Sequence, residues 1–225
     1  MLHRSSLFIL FVMLGCAALT FSGCTDNLPK EVVVYRNDFE NGRERIKVFS
    51  GDSESSQPLL IDFNGSQILG PLNHNAVYLQ FPDESLKLDS LPEHQLLLIE
   101  FDLYIHDAWK GNDGLSSDFW ALFLDGERSY LTTFANLPGT TQAYPEPEGS
   151  SFYPGANAVN FQLPGLCALK ESANGTALYH FVWKFKHSER TLRFALSDLV
   201  AETDTCLKSW SVDNLKITSI SIETN

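Results

Sequence analysis

Beyond residue 30 the apolar positions fall in short runs, at residues 32–35, 59–63, 76–81, 96–105, 119–124, 130–134, 158–163, 178–185, 191–196 and 215–222. Each run is rich in β-branched or aromatic residues and is bounded by Gly, Pro, Asn or Asp. Strands at this density, with turn signals between them and no sustained helical period, predict an all-β antiparallel sandwich. Several runs alternate, which assigns their two faces. Phe101, Leu103 and Ile105 oppose Glu100, Asp102, Tyr104 and His106; Tyr179, Phe181, Trp183 and Phe185 oppose His180, Lys184 and Lys186; Leu192, Phe194 and Leu196 flank Arg193. The apolar sets are expected to form the core, and the polar sets a solvent-facing sheet surface.

Two segments break this pattern. Residues 107–118 have loop composition. Residues 136–155 are longer and carry Pro138, Pro145, Pro147 and Pro154 with the aromatics Tyr144, Phe152 and Tyr153. Long loops on a rigid sandwich often bear binding residues, and a flexible surface excursion would have the same composition.

The N-terminus adds a different signal. A cationic start with Arg4 precedes an apolar stretch at residues 7–14 and small residues at Ala17 and Ala18, the layout of a secretory signal peptide. The stretch is shorter than the roughly 20 residues that span a bilayer, although a retained anchor would also contain it. The segment Leu19-Thr20-Phe21-Ser22-Gly23-Cys24 resembles the lipobox of bacterial lipoproteins, with Phe21 where Leu is commoner. That resemblance implies a signal peptide at 1–23, lipidation of Cys24, a tether at 24–30 and a folded domain at 31–225. Cutting at Cys16 would leave a very short apolar region. Thr25 after the cysteine implies, by the same family's rule, passage to the outer membrane, the lipid being the sole membrane attachment.

Charge and cysteines narrow the picture further. With 28 Asp+Glu against 16 Lys+Arg the chain carries a formal charge of −12, which disfavours a nucleic-acid partner. Once Cys16 is removed and Cys24 acylated, Cys167 and Cys206 remain. An exported compartment permits a disulfide between them, and two buried thiols are the alternative.

Asn37-Asp38-Phe39-Glu40 near the start of the domain and Ser209-Trp210-Ser211-Val212-Asp213-Asn214-Leu215 near its end bracket the fold. This pairing resembles jelly-roll sandwiches of the concanavalin-like, MAM-like and carbohydrate-binding-module type. The resemblance implies that first and last strands lie together and that Asp38, Glu40 and Asp213 hold a structural calcium ion, a hard cation that takes six to eight oxygens. It also implies a glycan or other cell-surface ligand. Sugars bind through a flat aromatic flanked by carboxylates and amides, and the expected contacts are Glu100, Asp102, Tyr104, Trp109, Tyr144 and Tyr153. Trp109 is the expected platform, with Trp120, Trp183 and Trp210 assigned to the core. Two other classes stay open. Glu100 and Asp102 lie on one strand face about 6–7 Å apart, resembling the start of a concanavalin-like glycoside hydrolase run, but Ile105 stands where its second Glu belongs. A protein-binding adhesin would use the same loop aromatics. No G-x-S-x-G, H-E-x-x-H or Walker sequence is present.

Overall fold

The computed structural model describes residues 29–55, 59–86 and 88–222. The signal peptide, Cys16, Cys24 and most of the tether lie outside the described residues. Among the described residues, strands numbered in chain order form two antiparallel sheets. The first runs β10 (Asn160–Leu163), β11 (Thr176–Lys186), β7 (Leu96–Asp107), β13 (Lys208–Ile222), β5 (Ser66–Leu72) and β4 (Leu60–Phe63), with β1 (Pro29–Asn37) also paired to β13. The second runs β3 (Ser53–Glu54), β2 (Lys47–Ser50), β6 (Asn75–Phe81), β12 (Leu192–Leu199), β8 (Phe119–Leu124) and β9 (Glu127–Thr133). No helix among the described residues is long and apolar enough to cross a membrane. The compact unit spans Glu31–Ser221.

The alternation of the sequence sets the inner faces. Leu97, Ile99, Phe101, Leu103 and Ile105 of β7, Tyr179 and Phe181 of β11, and Trp210, Val212, Leu215 and Ile217 of β13 are buried in one core. Val77, Leu79 and Phe81 of β6, Leu192, Phe194 and Leu196 of β12, and Trp120 and Leu122 of β8 belong to the same cluster. Both bracketing motifs act in this packing. The Asn37 side chain accepts from the Phe39 amide and donates to the Gly42 and Glu44 carbonyls, a tight turn that buries Phe39. Trp210 is buried too, its indole N–H donating to Asp198 at 2.8 Å. First and last strands pair, as the resemblance implies.

Strands β2, β3 and β5 were not legible as apolar runs. Two are short, and β5 contains Gly70-Pro71, a pair that reads as a turn. A second correction concerns the outer face of the first sheet, which is not wholly solvent-facing. Tyr104 and His106 lie beneath a small outer cluster of Phe63, Ile68 and Leu163, flanked by Ile61, Leu166 and Leu178. His106 sits between Thr176 Oγ1 and Ser211 Oγ, each at 2.9 Å. The Thr176 hydroxyl donates to the Pro164 carbonyl, so it must accept from His106 Nδ1–H, and the Ser211 hydroxyl then donates to Nε2.

Cys167 and Cys206 form a disulfide. The interrupting segments are well tied. Gln142 is buried in the long loop: its Oε1 accepts from the Ala135 and Gly155 amides and the Tyr179 hydroxyl, and its Nε2 donates to the Tyr144 and Ala156 carbonyls. This satisfaction of backbone groups by one amide makes the loop part of the framework, not a loose excursion. In residues 107–118 the acids also serve structure. Asp107 accepts from the Cys167 and Leu169 amides, and buried Asp118 accepts from the Lys110 amide and pairs with Lys208 Nζ at 2.7 Å.

Candidate functional site

Strand β11 is covered on one side by β7 along its whole length, from Thr176↔His106 to Lys186↔Leu96. On the other side β10 reaches only Leu178. The Leu178 carbonyl points to that side, accepting from the Val159 amide. Because backbone direction alternates along an antiparallel strand, His180, Val182 and Lys184 present their amides and carbonyls to the same side, where no strand among the described residues pairs with them.

A groove of about 320 Å³ follows this open edge, lined by His180, Phe181, Val182 and Trp183 from β11, Tyr130 from β9, and Tyr144 and Pro145 from the long loop. The β8–β9 connection is an Asp125-Gly126 pair with φ of 53° and 87°, the two-residue turn that suits strand twist. It brings β9 back along the edge of the second sheet, so that Tyr130 stands edge-on to Trp183 with centroids 4.9 Å apart and planes at 87°. The Tyr130 hydroxyl donates to the Pro145 carbonyl at 2.9 Å, which fixes the ring against the loop. Tyr144 closes the inner end against Phe181 and Tyr179. Burial raises the phenol pKa of both Tyr130 and Tyr144, so both rings stay neutral.

A polar relay stands on the outer face of the same edge, across β11 from these rings. His180 Nδ1 donates to Asp102 Oδ1 at 2.7 Å, and Asn214 Nδ2 donates to Asp102 Oδ2 at 2.8 Å. The imidazole is thus oriented by a carboxylate that is itself held, which leaves Nε2 free for a ligand hydroxyl. The register His180↔Asp102 and the bulge after Asp213, with Asn214 at a φ of 53°, make this meeting possible.

The sequence-predicted residues separate into three groups. Asp102 and Tyr144 contribute to the groove, Asp102 through His180. Glu100 and Tyr104 share the outer face of β7 with Asp102. Glu100 is paired with Lys216 at 2.7 Å, and Tyr104 is largely buried, its pKa pushed up to about 12 by burial and by Asp213 and Asp102. Trp109 is corrected outright: it is 0 % exposed, packs on Phe134 and donates its N–H to the Ser209 carbonyl at 2.9 Å, so no ring face is open to a sugar. Tyr153 is 72 % exposed and does not line the groove. Tyr130, His180 and Trp183 were missed. Trp183 does pack against the core as its alternation implied, but it is only partly buried, because it lies at the edge of the sandwich.

Of the expected calcium ligands, Glu40 and Asp213 converge. Ser66 Oγ lies 2.9 Å from Glu40 Oε1 and 3.0 Å from Asp213 Oδ2, and its single hydrogen serves one of them at a time. Burial pushes the Asp213 carboxyl up, with Asp102 and Glu40 adding to the shift. Asp38 is turned to its own loop, where it accepts from the Glu40 amide. Among the described residues no three His, Cys, Asp or Glu side chains are grouped to hold a metal ion.

No protein-family model matches the chain, and no curated protein matches it either. Solved structures with a similar outline include a family 35 carbohydrate binding module from Clostridium thermocellum, at 8% identity and a TM-score of 0.33, covering 84% of this chain and 97% of that one. The CBM2 module of the evolved Dit of Lactobacillus casei phage J-1 matches at 9% identity and a TM-score of 0.43, covering 88% and 99%. The cleaved adhesin domain of Lys-gingipain from Porphyromonas gingivalis matches at 13% identity and 0.33, covering 84% and 100%. At these identities and scores the likenesses carry no argument about a ligand.

Proposed function

We propose that this protein is a lipid-tethered, non-catalytic glycan-binding sandwich of jelly-roll type whose ligand lies in the groove between β9 and β11. The observation that supports it is the combination of a partly exposed Trp183–Tyr130 wall with an imidazole whose direction is set by Asp102 and Asn214. Aromatic faces take the apolar side of a pyranose, and a fixed nitrogen on the outer side of the same edge can meet the hydroxyls of a ligand that wraps it. The open amides and carbonyls of Val182 and Lys184 offer further partners to the same ligand. Against hydrolysis stands the pairing of Glu100 with Lys216 and of Asp102 with His180, which occupies both carboxylates of the run that resembled a glycosidase.

The test is a glycan array on the full chain, repeated with Trp183→Ala and Tyr130→Ala. Alanine at a ring that stacks on the ligand should weaken binding roughly tenfold or more. Retained binding in both variants, or wild-type silence across the array, rejects the groove; captured protein segments in place of sugars would favour the adhesin reading.

Two parts of the proposal lie elsewhere. Cys24 carries the lipid that places the protein in the outer membrane, and radiolabelled palmitate should enter the wild type but not Cys24→Ser. A structural calcium ion at Glu40 and Asp213 would relieve the repulsion of two carboxylates on one hydroxyl. Calcium should then raise the melting temperature and chelation lower it, and no shift in either direction sinks that part.

A further inference from the structure

The outer face of β11 carries two cations that the sheet around them does not answer. Lys184 and Lys186 are both exposed and stand about 7 Å apart along the strand. Their cross-strand neighbours are Leu98 and Leu96 of β7, and beyond those Thr218 and Ile220 of β13. Neither row contains an acid. Glu100, opposite Val182 in the next row, is already bonded by Lys216 at 2.7 Å. Among the described residues Lys47, Lys110, Lys208 and Lys216 pair with acids, whereas Lys184 and Lys186 do not. In a chain of formal charge −12 these two ammoniums are a local excess of the opposite sign.

Their place beside the groove gives them a use. Lys184 directly follows Trp183, on the other face of the same open edge. A lysine stem is long and flexible enough to swing its ammonium over an edge one strand thick. A ligand seated on that edge meets the Trp183–Tyr130 rings from one side and the two ammoniums from the other. The groove is also polarised along its length. Strand β9 runs beside β11 in the reverse sense, since Asp125, just before β9, meets His187, just past β11, while Tyr130 meets Trp183. Lys184 and Lys186 therefore stand at the hairpin end. The acids there are matched: Asp125 by His187, Glu127 by the adjacent Arg128 and Glu189 by the adjacent Arg190. The opposite end, at Tyr144 and Pro145, carries exposed Glu146 and Glu148, and the Glu146 carbonyl accepts from the Tyr130 hydroxyl. An anion is drawn to the first end and repelled by the second.

Resting on the glycan reading of this groove, we propose that the glycan is anionic. A carboxylate or sulfate on the sugar chain is held by Lys184, Lys186 and the unpaired amides of Val182 and Lys184, while an uncharged face of the same chain stacks on Trp183 and Tyr130. The charged unit lies toward the hairpin end, away from Tyr144. An ammonium is a point charge without the fixed fork of a guanidinium, so the pair suits a planar carboxylate and a tetrahedral sulfate alike.

The experiment measures binding of the full chain to polygalacturonate and dextran sulfate, and to their uncharged counterparts, carboxyl-reduced polygalacturonate and dextran. Polyglutamate serves as a polyanion without sugar rings. At least one charged glycan should bind about tenfold or more tighter than its uncharged counterpart, an advantage that fades at high salt. Which of the two binds tells carboxylate from sulfate. The double variant Lys184→Gln with Lys186→Gln should lose the advantage at unchanged Tm, because both side chains are exposed, and Lys184→Arg with Lys186→Arg should keep it. Equal binding of charged and uncharged glycans, or an undiminished advantage in the glutamine variant, overturns the anionic reading and leaves the glycan groove standing. Charged binding that survives Trp183→Ala, or silence toward every glycan, overturns the groove itself and this inference with it. Polyglutamate bound as tightly as the charged glycans overturns it in favour of an extended acidic peptide added to the open edge.

Discussion

His106 provides a stability experiment whose sign and size follow from its surroundings. The ring is fully buried between Thr176, Ser211, Phe63 and Tyr104, and burial lowers its pKa from 6.5 to about 3. Its protonated form is therefore favoured by the unfolded chain. The stability contributed by the neutral ring is complete above pH 6.5 and is lost progressively as the pH falls toward 3. One pKa unit corresponds to about 1.4 kcal/mol, so the loss is about 2 kcal/mol at pH 5 and about 3 kcal/mol at pH 4. His106→Gln keeps a donor and an acceptor for the two hydroxyls but cannot titrate. Denaturant unfolding of both proteins, followed by tryptophan fluorescence at pH 7, 6, 5 and 4, isolates this residue. His187 titrates in the same direction and the buried carboxyls Asp107 and Asp213 in the opposite one, but all are common to both proteins and cancel in the difference. The variant should be the less stable protein at pH 7, with its deficit shrinking by about 3 kcal/mol by pH 4. Parallel stability curves for the two proteins would refute the account of a neutral buried ring.

Other outcomes follow from single contacts. Asp118→Asn leaves the buried Lys208 ammonium without its counter-charge and should cost about 3–5 kcal/mol in denaturant unfolding; a change under 1 kcal/mol would mean that water reaches Lys208. Replacing both Cys167 and Cys206 by Ser opens a link across 39 residues and should cost about 4 kcal/mol relative to the oxidised wild type, with the reduced wild type matching the double variant. Gln142→Leu removes the Gln142 acceptor from the Ala135 amide, while the Gly155 amide keeps the Ala135 carbonyl, and hydrogen exchange at Ala135 should accelerate well ahead of that in β7. In an array experiment, His180→Ala should weaken or broaden glycan selectivity more than it changes Tm, because His180 is half exposed and packs little.

The sandwich class and most of its core were readable because strand alternation is a local, period-two signal. Phe101, Leu103, Ile105, Leu192, Phe194 and Leu196 are buried on the face their alternation assigned. Where one residue type serves two purposes, the local signal failed. Trp109 sits in a Gly- and Asp-rich loop, which reads as exposed; Lys208, paired with Asp118, and the Thr141 carbonyl, which accepts from the Asn112 amide, tie that loop down from distant parts of the chain, and the indole is buried with it. Asp107 in the same loop is claimed by backbone amides brought from residues 167–169.

The groove shows the same division. Alternation alone put Trp183 on the inner face and His180 on the outer one, and both placements hold. That Trp183 is open on one side depends on β10 starting only at Asn160, opposite Leu178, which leaves the side of β11 away from β7 without a neighbour beyond that point. That His180 meets Asp102 depends on a register between strands separated by 78 residues. That Tyr130 stands opposite depends on which strand ends the second sheet. Side-chain direction along a strand is decided within a few residues and is therefore written in the chain. Strand neighbours, edges and cross-sheet meetings are decided by how two apolar faces cover each other, a balance over the whole domain that tertiary structure alone resolves.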